Sequence, residues 1–244
     1  ASRNPPSSLP LFDELAEQIG AMAHRAYPGN GFPIDQFLGE LLEDFDVHKH
    51  VRRLIDRPGS EPNDNHKAAV RLAASGATAR VITTNFDEHL RTAAIDAGLD
   101  FVDTYYAPAL PVGRDFEGLA YLHGSINRPA QELVLTDHDF GRAYLTDAWA
   151  TRFLREVFDH FVVLFVGFSH NDPIINYLGM GLPSSTRRYI LTDLADDQRW
   201  KRLRITPVAY PPDNNHAAAT RAMQEWGRRA SMGGLEHSAR SRDI

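Results

Sequence analysis

Three short polar segments each follow an apolar run that reads as a strand. Thr83-Thr84-Asn85-Phe86-Asp87 comes after Arg80-Val81-Ile82, and His123-Gly124-Ser125 after Leu119-Ala120-Tyr121-Leu122. Gly167-Phe168-Ser169-His170-Asn171-Asp172-Pro173 closes the run 161–166. The Asn85 amide both donates and accepts, so it can orient a hydroxyl or an attacking water without adding charge. A histidine with an ordinary pKa near 6.5, such as His123, can accept a proton from either at neutral pH. Asp87 can stabilise developing positive charge or fix an amide. Each residue also has a plain structural use. Asn85 and Asp87 can cap a helix starting near Glu88, His123 can belong to a turn, and Gly167 with Ser169 can form a strand exit.

These residues need elements that bring them together. Leu11, Leu15, Ile19 and Met22 fall at helical spacing, and Phe37, Leu38, Leu41, Leu42 and Phe45 repeat the pattern. Residues from about 11 to 75 are therefore expected to be mostly helical, broken at Pro28-Gly29-Asn30-Gly31 and Pro58-Gly59-Ser60. Strands and helices then alternate: a helix from about Glu88 to Ala97 closed by Gly98, another from Trp149 to His160, and a third from about Ala217 to Arg229. Tyr189-Ile190-Leu191 and Pro207-Val208-Ala209-Tyr210 read as strands. The unbroken apolar run 161–166 reads as a strand buried on both faces. A helix capped by Asn171 or Asp172, with Pro173 in its first turn, is expected to follow it. The order describes an α/β fold with a Rossmann-like, doubly wound parallel sheet, in which ligands collect outside the carboxyl ends of the strands.

Composition sets outer bounds. The 244 residues are 43% hydrophobic and 24% charged, with no apolar stretch of about 18 residues, so neither a membrane span nor a signal peptide is expected. A net charge of −6 leaves no footprint for direct nucleic-acid binding. There is no cysteine, hence no disulfide and no thiolate zinc site, and no metal is expected. The chain opens on Ala1-Ser2-Arg3-Asn4 without methionine or a preceding strand, and 233–244 lacks a core pattern, which reads as a fragment ending in a tail or in the start of a further region.

Together the three signatures resemble those of the sirtuin (Sir2) superfamily, in order and in context. Ala1-Ser2 looks like the remainder of its Gly-Ala-Gly-x-Ser phosphate loop, and Leu9-Pro10-Leu11-Phe12 is similar to its Gly-Ile-Pro-x-Phe-Arg segment, with Asp13 standing where arginine is usual. The nearest pattern is that of the Sir2-like NADase domains of prokaryotic antiphage defence proteins, where Thr-Thr-Asn-Phe/Tyr-Asp, His-Gly and Gly-Phe/Tyr-Ser-x-x-Asp recur. The resemblance implies a Sir2-like catalytic domain over 1–232, with a helical subdomain over approximately 13–75, helped by 128–158, in place of the zinc ribbon. It implies NAD as substrate and cleavage of the nicotinamide–ribose bond. Asn85, His123 and Asp87 become the catalytic candidates, and Ala1, Ser2, Phe12, Thr84, Phe86, Gly124, Gly167 and Ser169 the NAD contacts. Without the zinc cysteines, hydrolysis is favoured over protein deacylation or ADP-ribosyl transfer; a non-catalytic NAD or ADP-ribose sensor is the other alternative. The resemblance further implies a cytoplasmic, NAD-depleting effector that forms a homo-oligomer and works with a sensor domain or partner protein.

Overall fold

Sheet formation begins where β-branched and aromatic residues cluster between turns. In the computed structural model, which describes residues 3–29, 31–76, 78–99, 103–167 and 186–232, β1 (Arg80–Thr83), β2 (Thr104–Tyr106) and β3 (Gly118–Tyr121) form one parallel sheet in the order β1-β3-β2. β4 (Val163–Val166), β5 (Arg188–Thr192) and β6 (Thr206–Ala209) form a second, also parallel, in the order β4-β5-β6. Parallel neighbours need crossovers rather than tight turns: the one between β5 and β6 carries the helix Gln198–Leu203, whereas residues 107–117, with only the 3₁₀ turn Gly113–Asp115, lead from β2 to β3. The result is an α/β Rossmann-like fold whose strands are divided between two sheets, with β1 and β4 each an edge strand among the described residues.

One helix joins the two sheets. α7 (Trp149–His160) puts Phe153, Leu154, Val157 and Phe158 into a cluster that also holds Ala120 and Leu122, with Ile82 of β1 and Val163 and Phe165 of β4 packed against it. Burying each such side chain is worth roughly 1.5–3 kcal/mol, so this cluster is a main tie between the sheets. The Arg80 guanidinium lies over the Phe161 ring, 4.5 Å from its centroid, and links the starts of β1 and β4.

The run 161–166 departs from the expected doubly buried strand. Phe165 packs inward against Phe158 and toward Ile190, whereas Leu164 and Val166 remain 36% and 40% exposed. An edge strand covered by α7 on one face buries only alternate residues, because side chains alternate between faces.

Ahead of the sheets, α1 (Phe12–Met22), α2 (Ile34–Glu40) and α3 (Val47–Ile55) enclose Leu15, Ile19, Phe37, Leu38, Val47 and Val51, joined from the far side by Leu133 and Leu135. α4 (Asp64–Ala73) has other partners. It packs on α5 (His89–Asp96) and on the final helix, Ala217–Ala230, so the fourth helix of the amino-terminal stretch covers the sheet rather than the helical core. Its amino end is closed by Asn63, whose Oδ1 accepts from the Asn65 and His66 backbone N–H groups, while His66 Nδ1 accepts from the Asn63 N–H at 3.1 Å. Two short helices complete the order among the described residues: α6 (Asp137–Gly141) before α7 and α8 (Gln198–Leu203) between β5 and β6, which makes Ala217–Ala230 α9.

Candidate active site at the ends of two paired strands

β1 and β3 run side by side with Thr83 opposite Tyr121, and the Leu122 N–H donates to the Thr83 carbonyl at 2.8 Å. The register therefore releases the Asn85 and His123 segments at the same carboxyl edge, two residues past an aligned pair. Side-chain bonds then shape both loops. The Asn85 N–H donates to Thr83 Oγ1 at 3.1 Å, and the His89 N–H to Asp87 Oδ1 at 3.1 Å. The loops are stitched to each other by the Ile126 N–H on the Phe86 carbonyl at 3.0 Å and by a Ser125 hydroxyl donating to Glu88 Oε1.

His123 is sealed into this edge. Its carbonyl accepts from the Val134 N–H at 2.9 Å, and the following Gly124 adopts φ +86° with Glu132 and Leu133 backbone so close that a Cβ would stand 2.6 Å from the Glu132 carbonyl oxygen. The imidazole is 5% exposed, meets Phe140 edge-on, and holds the Tyr144 hydroxyl at 2.8 Å from Nε2. Burial pushes its pKa down to about 3, because an apolar surround penalises the imidazolium. It is neutral at physiological pH, and far less basic than an ordinary histidine. Tyr144 was not among the residues singled out from the sequence: it lies 21 positions away, without a motif of its own.

Beneath Asp87 lies a second buried polar group. His66 packs edge-on to His89 at 5.2 Å between centroids, and burial lowers its pKa to about 4, with the Asp87 carboxylate pulling the other way and His89 reinforcing the fall. The His89 Nε2 lies 2.9 Å from Ser60 Oγ, which also donates to the Ser7 carbonyl at 2.5 Å. Asp87 thus closes the turn that leads into α5. Nearby, the Tyr121 hydroxyl is fully buried without a hydrogen-bond partner, and its pKa is raised by burial and by the Glu88 and Asp87 carboxylates.

The NAD-contact candidates differ in their surroundings. Thr84 is half-buried beside Asn85. Phe86 is 9% exposed and packs into the α1–α3 core with Leu9 and Leu15, so its ring is committed to packing. Gly124 meets a demand for positive φ and close backbone approach. Phe12 opens α1 at 38% exposure, and Gly167 follows β4 at φ +64°, exposed. Ala1, Ser2, Phe168, Ser169 and the expected cap at Asn171 or Asp172 lie outside the described residues, as does 233–244. Among the described residues, no group of three or more His, Asp or Glu side chains could hold a metal ion, and no helix is long and apolar enough to cross a membrane.

A parallel α/β fold that gathers polar side chains at the carboxyl ends of adjacent strands defines a class of domain that takes its ligands at that edge. Residues 79–207, just over half the chain, match the family described as SIR2-like domain, and the chain belongs to that family. The matched span contains β1 to β5 and both Asn85 and His123. SIR2-like domains bind NAD. The chain is also 25% identical over 238 residues to the uncharacterized protein y4cA of Sinorhizobium fredii, covering 85% of this chain but 20% of that protein. It spans about a fifth of that relative's length.

Proposed function

We propose that this domain is an NAD glycohydrolase that converts NAD and water to nicotinamide and ADP-ribose. The observation that carries the reading is the alignment of Asn85 and His123 at the carboxyl edge of two paired strands in a SIR2-like chain. In the reaction the C1′–N bond breaks, its electron pair leaves with nicotinamide, and water forms the new C1′–O bond while losing a proton. A cationic leaving group needs little acid assistance, so the protein's task is to hold the oxocarbenium-like centre and the water. Asn85 orients the ribose hydroxyl or the water, and the neutral His123 imidazole takes the proton. Asp87 supports both through the turn it closes.

The absence of cysteine supports hydrolysis over protein deacylation, since no zinc ribbon can be built. A non-catalytic NAD or ADP-ribose sensor is the second reading; it is favoured by the low basicity of His123. The role as a cytoplasmic effector of antiphage defence, assembled as a homo-oligomer with a sensor partner, rests on the motif resemblance. Chromatography of NAD products separates the readings. Hydrolysis predicts nicotinamide and ADP-ribose from the wild type, and at least about 100-fold less from Asn85→Ala and His123→Ala. Equal turnover in all three refutes the site, and NAD binding without products in the intact protein selects the sensor.

A further inference from the structure

Tyr144 sits on a turn of π-helix, Arg142–Thr146, that continues α6. The Asp147 N–H reaches back five residues to the Arg142 carbonyl at 3.0 Å, and the Tyr144 carbonyl is held by Thr151 Oγ1 of α7 at 2.7 Å. Such turns interrupt regular helix bonding and are frequent at functional sites. Here the side chain is 3% exposed, stacks on Phe140, and brings its hydroxyl to His123 Nε2. Phe140 in turn is fixed by the α6 cap, where Thr136 Oγ1 accepts from the Asp139 N–H and Asp139 Oδ2 takes bonds from Thr136 and from His48 of α3. The hydroxyl is therefore placed by two helices and a cap.

A neutral imidazole carries one N–H and one lone pair, so this contact has two proton arrangements. If the tyrosine O–H donates to Nε2, the proton of the ring is on Nδ1 and no basic nitrogen remains. If Nε2–H donates to the tyrosine oxygen, Nδ1 keeps its lone pair. We propose that Tyr144 is a positioning residue that accepts the His123 Nε2–H and thereby leaves Nδ1 as the proton acceptor. The inference rests on the reading of His123 as the base. As water adds to C1′, its proton passes to Nδ1; the imidazolium keeps Nε2–H on Tyr144, whose oxygen supports the new charge, and the proton then leaves to solvent. A hydrogen bond that strengthens in the charged form lowers the barrier to proton transfer.

Long-range ¹H–¹⁵N correlation spectra of the ¹⁵N-histidine-labelled chain read the ring protonation directly. The wild type is expected to show His123 as a single Nε2–H tautomer at neutral pH, and Tyr144→Phe a mixture of tautomers. With NAD, the variant should lose about tenfold in kcat, the scale of one net hydrogen bond, with KM changed less than about twofold. A wild-type Nδ1–H tautomer overturns the proposal, even if Tyr144→Phe fails to fold. So does a variant that keeps the Nε2–H tautomer and full kcat. An Nε2–H tautomer that becomes mixed in the variant, in a protein that releases no nicotinamide, removes the hydrolase and leaves the tautomer assignment standing.

Discussion

Acidification should unfold this domain earlier than its carboxylates require, because two buried histidines resist protonation. In the folded state His66 titrates at about 4 and His123 at about 3, whereas both return to about 6.5 on unfolding. Below 6.5 the unfolded chain binds protons that the folded chain refuses, so stability is whole above that pH and falls as the pH drops toward 4 for His66 and 3 for His123. At about pH 5 each histidine is worth about 2 kcal/mol, and the two together about 4 kcal/mol, of lost stability relative to about pH 7.5. That is a large part of the 5–15 kcal/mol typical of a domain, roughly speaking. Urea unfolding at the two pH values measures it. His66→Gln isolates one half: glutamine at the third helical position can still bond the Asn63 N–H, so the cap survives while the titration disappears, and the acid loss should shrink to about 2 kcal/mol. Equal stability at both pH values in the wild type, or an undiminished loss in His66→Gln, would refute the reasoning.

Three further outcomes follow from the same geometry. Tyr121→Phe removes a buried, unpartnered hydroxyl and should raise stability by about 1 kcal/mol in urea unfolding; a loss of that size would mean the hydroxyl is bonded. Gly124→Ala forces a side chain into positive φ and against the Glu132 carbonyl, costing about 2–4 kcal/mol; an unchanged melting temperature would contradict the backbone conformation. Burial alone would raise the Asp139 pKa, but bonds from His48 and Thr136 outweigh it and hold the carboxyl below its ordinary 3.8. Its contribution is thus present above that value and lost on further acidification. Asp139→Ala should cost about 2–3 kcal/mol at neutral pH, read by chemical denaturation, and a neutral effect would dismiss the α3–α6 link.

The local pattern alone located much of this domain. Apolar runs ending in Thr83 and Tyr121, helical spacing through Ile19 and Phe153, and polar turns after the strands are all decided by residues near in sequence, as are the ends of α7. Tertiary structure decided what the site residues can do. The same signal that marks Phe86 as part of a motif does not reveal that its ring fills the α1–α3 core, nor does an apolar run show that β4 lies at an edge among the described residues. His123 could be read as an ordinary base until Phe140 and Tyr144, from a separate helix, closed around it. A proton's affinity depends on the whole surround within a few ångströms, and that surround is assembled from segments that sequence distance keeps apart.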